Sequence, residues 1–250
     1  PLIVNTCNFN KPPEGEPSLL SLDEARTVFH EFGHGLHGLL SDVTYPRISG
    51  TSTVRDFVEL PSQLYEHWLE QPPVLARLTH YKTGAPIPAE LLARMKAART
   101  ADTGFETVEM LSSALLDMAY HTRPAGEPID ADSIERETLE RIGMPPQIAL
   151  RHASPHFLHI FSGDGYSAGY YSYLWSEVLD ADGFTAFDEA GDPFDPPTAQ
   201  RLYTYVYSAG GMRDFAEAYR LFRGRDPDIA GLLKQRGGGA LEPIEDGLAV

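Results

Sequence analysis

The sequence carries a single cysteine, Cys7, so no disulfide can form within the chain. That fits a reducing compartment, and a cytoplasmic location is expected. Basic residues are scarce. Twenty Lys and Arg stand against 36 Asp and Glu, a formal net charge of -16. A surface that acidic repels phosphate backbones, so no nucleic acid and no anionic membrane is expected as a partner. The plainer consequence of the charge is solubility. No apolar run approaches the roughly 20 residues that span a bilayer. Pro1-Leu2-Ile3-Val4-Asn5 has neither an initiator Met nor a charged-then-apolar leader, and it reads as a segment of a longer chain. What is present is 42% hydrophobic and 22% charged residues, the mix of a globular protein with a sizeable core.

Turn-forming residues divide the chain. Residues 1 to 18 hold Pro1, Pro12, Pro13 and Pro17 and read as extended, with Leu2-Ile3-Val4 a candidate edge strand. Ser21-Leu22-Asp23-Glu24 matches a capping box, with Ser21 as N-cap and Glu24 three residues on. The helix it opens is expected to reach about Leu40. Ala25, Val28, Phe29, Phe32, Leu36 and Leu39 recur at helical spacing, which predicts a core helix. Further helical patterns run over 54–70, bent near Pro61 and ended by Pro72-Pro73, and over 88–100, 105–121 and 133–141. Residues 143 to 165 read as a long loop. Helical pattern returns over 167–180, 197–208 and 213–222. Residues 237 to 250 are expected to be a disordered tail. The fold expected is mostly α, with few short strands.

His30-Glu31-Phe32-Gly33-His34 is an H-E-x-x-H motif. Residues four apart share a helix face, so both imidazoles can reach one ion. Glu31 follows the first histidine and can reach a water beside that ion, as a catalytic base must. Two histidines and a glutamate inside an apolar helix would be costly without something to bind. The cofactor expected is one Zn2+. A catalytic zinc needs a third protein ligand and an open position. A third histidine in the pattern H-E-x-x-H-x-x-G-x-x-H would fall on Leu40 and its glycine on His37, which excludes that class. The stretch 54–70 offers Asp56, Glu59, Glu66, His67 and Glu70. Glu59 is the best of these, because it stands between Val58 and Leu60 where a solvated carboxylate is not expected. Glu66 and Glu70 read as ordinary surface charge. His37, one turn past His34, reads as a hydrogen-bonded neighbour of the ligands or a core residue, with ligation the lesser alternative.

Three separated blocks resemble one family. They are His30 to His37, Asp56-Phe57-Val58-Glu59-Leu60-Pro61-Ser62-Gln63, and Gly165 to Trp175. Cys7 to Pro12 adds to the likeness. Together they resemble the thimet oligopeptidase family of zinc peptidases, and Glu66-His67-Trp68 and Leu111 to Met118 lean towards its bacterial peptidyl-dipeptidases. The resemblance covers residues 1 to about 236 and implies the C-terminal catalytic part of a mostly α, zincin-like metallopeptidase. It implies His30, His34 and Glu59 as zinc ligands, Glu31 as base, and Tyr166 and Tyr173 as residues of the substrate site. His159 matches a substrate-site histidine, although the loop from His159 to Tyr166 is one residue longer than the family's pattern. A phenol beside the metal can donate a hydrogen bond to an oxyanion. The four tyrosines Tyr166, Tyr170, Tyr171 and Tyr173 could equally be a packed aromatic face, but Gly163, Gly165 and Gly169 suggest a loop approaching a ligand.

The resemblance further implies a channel enzyme acting on short peptides, with release of C-terminal dipeptides one outcome. Family members are far longer, so the family's N-terminal part is an expected partner. The alternative is a non-catalytic, metal-holding fragment that needs that part, or another polypeptide, to bind peptide. Against it, a structural zinc site is usually closed by four protein ligands, often cysteines, and has no use for Glu31.

Overall fold

A computed structural model describes residues 1–238. The expected tail therefore lies, from residue 239 on, outside the described residues. Helices dominate: α1 (Leu22–Leu40), α2 (Arg55–Val58), α3 (Leu60–Glu66), α4 (Pro72–Leu75), α5 (Ala89–Ala98) and α6 (Thr103–His121). They continue with α7 (Ala131–Arg141), α8 (Leu158–Phe161), α9 (Ser172–Ala190), α10 (Pro196–Leu202), α11 (Phe215–Arg223) and α12 (Ala230–Gln235). Among the described residues the only β-pairing is an isolated bridge between Thr79 and Pro86. Leu2-Ile3-Val4 forms no strand among the described residues, and Ile3 lies against Gly38 of α1 instead. No described helix is long and apolar enough to cross a membrane.

The capping box forms as the sequence predicts. Ser21 Oγ accepts from the Glu24 N–H at 3.1 Å, and Glu24 Oε2 accepts from the Ser21 N–H at 2.8 Å. Two of the helix's unpaired donors are thereby satisfied. The core-helix expectation is only half met. Leu36 packs on the core, yet Val28, Phe32 and Leu39 are 38%, 44% and 42% exposed. The buried face belongs instead to Gly33, Gly35 and His37. Small residues let the backbones approach closely: a Cβ on Gly33 would stand 2.6 Å from the Ser62 Cα and 2.7 Å from the Pro61 carbonyl oxygen.

Pro61 explains the break between α2 and α3. It has no N–H for a helix that began upstream, but it fits the first turn of a new one. The chain therefore restarts at Glu59, which faces α1. Pro72-Pro73, expected to end a helix, open the short α4 for the same reason. Two cores flank this junction. One joins Phe57, Leu60 and Leu64 to Leu179, Phe184, Phe187, Val206, Tyr219 and Phe222. The other joins Leu116, Tyr120 and Ile134 to Phe157, Ile160 and Tyr170, with Tyr166 and Tyr173 against it. The expected loop 143–165 thus contains α8, short but anchored by the buried Phe157 and Ile160.

Candidate metal centre

α1 presents His30 and His34 on one face, and the restart at Pro61 brings Glu59 to them. His30 Nε2 lies 3.2 Å and His34 Nε2 3.1 Å from the same oxygen, Glu59 Oε2. All three donor atoms fall within 4.8 Å of one another, and no other such group occurs among the described residues. Tetrahedral zinc with bonds of about 2.0–2.1 Å has ligand–ligand edges of about 3.3 Å, close to what is found. Two imidazoles and one carboxylate are a donor set that catalytic zinc sites use, whereas structural sites usually take four protein ligands, often cysteines.

Two carboxylates, Glu59 and Glu66, face the imidazoles. Burial opposes a charge on His30, but the carboxylates of Glu59 and Glu66 outweigh it and raise the imidazole to about 10. Burial likewise works against the charge on Glu59, yet its contacts with His30, His34 and Tyr166 hold it far below the usual carboxylate range. A proton on His30 holds the place of the positive charge that both carboxylates face. A metal ion would bind at the expense of that proton.

The shell around the donors is specific. His30 Nδ1 donates to Glu66 Oε1 at 2.7 Å, fixing the ring so that Nε2 faces Glu59. Glu66 is therefore not the ordinary surface charge expected of it. It stands seven residues, two turns, beyond Glu59, on the same side. Glu70 does pair at the surface, with Arg26 and Arg99. Ser62 Oγ donates to Glu59 Oε2 at 3.2 Å, and the Tyr166 phenol donates to Glu59 Oε1 at 2.5 Å. His67 lies apart, with Asp180 at 2.6 Å and its ring stacked on Phe184, and neither it nor Asp56 joins the donors. His37 is fully buried and edge-on to Tyr207, with neither ring nitrogen hydrogen-bonded. Burial and the charge of His34 lower it to about 4, so it is a neutral core residue rather than a hydrogen-bonded one.

Glu31 is half-buried in the same turn as His30, and its carboxylate makes no hydrogen bond among the described residues. The glycine-rich loop brings Tyr166 and Tyr173 together as stacked rings with centroids 5.1 Å apart. Burial, with Tyr166 and Glu59 nearby, pushes the Tyr173 phenol well above its ordinary range, so it stays protonated. His159, on α8, is exposed, with its ring 6.0 Å from Tyr166 and 6.3 Å from Tyr173.

Asp117, which no motif singled out, organises this loop. It is completely buried on α6 and accepts the N–H groups of Ala168 and Tyr170, each at 2.9 Å. His121 Nδ1 stands 2.7 Å from the same carboxylate. Between the two backbone contacts Ala168 is held at φ 54, a left-handed conformation that a residue with a Cβ rarely adopts. Its only signals in the sequence were an acid between Leu116 and Met118 and its place in the block Leu111 to Met118. A cavity of about 590 Å³ abuts the centre through Gln63 and Glu66, but none of the three donors lines it.

The profile of Peptidase family M3 matches residues 1–238. Dipeptidyl carboxypeptidase of Escherichia coli (strain K12) is 45% identical over 240 residues, covering 95% of this chain and 35% of that protein. Oligopeptidase A of the same organism is 41% identical over 245 residues, and the thimet-like oligopeptidase of Dictyostelium discoideum 37% over 241, each with the same coverage of 95% and 35%. The chain spans about a third of the length of these curated relatives.

Proposed function

The chain belongs to Peptidase family M3, and from that premise we propose that it is the catalytic part of a zinc peptidase acting on short peptides. The observation that carries the reading is the approach of His30 Nε2 and His34 Nε2 to one oxygen of Glu59, with Glu31 in the same helical turn. A zinc ion there supplies Lewis acidity, which acidifies water and polarises the scissile carbonyl. His30, His34 and Glu59 hold it, and Glu66 and Tyr166 keep His30 and Glu59 aimed. Glu31 takes a proton from the attacking water and delivers it to the leaving amine. Tyr173, kept protonated, offers a hydrogen bond where the oxyanion develops, and Tyr166 can do the same only by turning its single O–H away from Glu59. The names of the two bacterial relatives favour oligopeptides as substrates, with release of C-terminal dipeptides as one outcome.

A second reading has its own support. Exposed apolar residues line α1 (Val28, Phe32, Leu39) and α6 (Phe105, Val108, Leu111). They favour a metal-holding part that binds peptide only together with further polypeptide.

Steady-state kinetics on quenched peptides, with the complete protein, tests both. Hydrolysis should vanish with chelator and return with zinc. Tyr→Phe at the position facing the oxyanion should lower kcat on the order of a hundredfold with little change in KM. Rates within about twofold of the parent for both Tyr166→Phe and Tyr173→Phe would remove the phenols from the chemistry. Zinc-independent hydrolysis would overturn the reading, and zinc binding without any hydrolysis would favour the second.

A further inference from the structure

Arg55 is the first residue of α2, four residues before Glu59, and it lies half-buried against the glycine-rich loop. Its guanidinium carbon stands 4.3 Å over the centroid of the Tyr166 ring. The phenol oxygen of that ring is the one that donates to Glu59. The loop runs alongside this side chain: a Cβ on Gly165 would stand in ordinary contact, 3.4 Å, with Arg55 Nη2, and one on Gly169 3.4 Å from its Cγ. Arg26, Arg99, Arg223 and Arg236 each pair with a carboxylate, whereas Arg47, Arg77 and Arg94 have no such pair among the described residues. Arg55 pairs with none among the described residues, in a chain with 36 acidic residues. Its N–H groups also have no described acceptor. An arginine fixed by a ring face and left without an acid keeps a planar fork of donors free, and that fork matches a carboxylate in geometry and charge.

We propose that Arg55 binds a carboxylate of the peptide lying in the site, and that this is the carboxylate ending the peptide chain. The inference rests on the peptidase reading. Reach supports it. Two extended residues span about 7 Å, and a charge-assisted hydrogen bond adds about 3 Å. One phenol ring and two short contacts separate the guanidinium from Glu59, a distance of the same size. A peptide whose scissile carbonyl lies at the metal centre would thus bring its end to Arg55 when two residues follow the cut. The same fork would also accept an Asp or Glu side chain at that place.

The test uses the complete, zinc-loaded protein carrying Glu31→Gln, which stops turnover. Three fluorescent pentapeptides of one sequence are titrated: a free acid, its C-terminal amide, and an amide with Glu as last residue. With Arg55 present, the free acid should bind about 10- to 100-fold more tightly than the amide. Arg55→Met keeps apolar contact with the Tyr166 ring but has no charge, and should bring that ratio to about one. Arg55→Lys should restore part of it. Zinc content equal to the parent's checks that the variants are folded at the centre. Any general disturbance of Tyr166 weakens acid and amide alike and cancels in the ratio. If the Glu-ended amide matches the plain amide, the chain end is the ligand; if it matches the free acid, carboxylate recognition stands and a side chain supplies it. A ratio near one in the parent, or a ratio that survives Arg55→Met, overturns the proposal. Should the protein with Glu31 intact cleave neither acid nor amide, the peptidase reading itself has failed and this inference falls with it.

Discussion

Glu31→Gln is expected to keep its zinc and to lose hydrolysis by about 10²- to 10⁴-fold, the usual contribution of a general base. Glu31 follows His30 directly but lies outside the three-donor cluster. Its carboxylate makes no hydrogen bond among the described residues, so no structural contact is broken by the change. Glutamine keeps the shape of the side chain and removes only its capacity to take a proton. Metal content and kcat/KM, measured on the same preparation, separate the roles. Zinc lost together with activity would make Glu31 a ligand, whereas a rate within about twofold of the parent would leave it without a catalytic task.

Gly33→Ala should weaken zinc binding by tenfold or more and lower the melting temperature, although alanine is the better helix former. Two effects oppose each other. Replacing glycine inside a helix gains about 1 kcal/mol from propensity. Against that, the new Cβ would meet the Ser62 Cα at 2.6 Å and the Pro61 carbonyl oxygen at 2.7 Å. Both are backbone atoms and cannot swing away, so α1 and α3 must separate. Overpacking of that kind costs about 1–3 kcal/mol, and at a site with backbone on the far side the upper end applies. The net loss of one or two kcal/mol corresponds to a drop of roughly 2–8 °C at this chain length. The metal feels the same shift, because α1 carries the two histidines and α3 begins beside Glu59. Calorimetry with and without zinc reads both effects. A rise in melting temperature with zinc affinity preserved would mean that the close approach at Gly33 does not set the geometry of the centre.

Local chemistry was legible in the sequence; contacts across long separations were not. The capping box at Ser21 and Glu24 and the turn holding His30, Glu31 and His34 depend on residues three or four apart. Glu59 stood out because its neighbours Phe57, Val58 and Leu60 are apolar. Glu66 did not, since its partner His30 lies 36 residues away, and only the restart of the helix at Pro61 puts it on the same side as Glu59. The grip of Asp117 on Ala168 and Tyr170 spans more than fifty residues of chain. The same contact explains why α9 begins at Ser172 rather than near Ser167, because left-handed Ala168 cannot continue a helix.

The far end of α9 misled for a related reason. Asp180, Asp182 and Gly183 resemble a helix stop, yet the helix runs on to Ala190 and closes at left-handed Gly191. Asp180 pairs with His67, and Asp182 accepts from the Tyr219 phenol at 2.6 Å. Gly183 leaves room for Phe222, whose ring would stand 3.2 Å from a Cβ there. Each apparent breaker is thus a packing or pairing residue whose partner lies elsewhere in the chain. The exposed side of α1 shows the converse limit. Helical spacing marks Val28, Phe32 and Leu39 as apolar, but it does not say what covers them.

The most direct test of the account is the zinc content of the purified protein and of two variants, His34→Ala and Glu59→Gln, by elemental analysis after dialysis. The parent should hold about one zinc per chain. Each variant loses one of three ligands and should hold far less, since even partners of the ligands typically contribute 10- to 100-fold to affinity. Equal stoichiometry in all three proteins would contradict the assignment of His30, His34 and Glu59 as the metal centre.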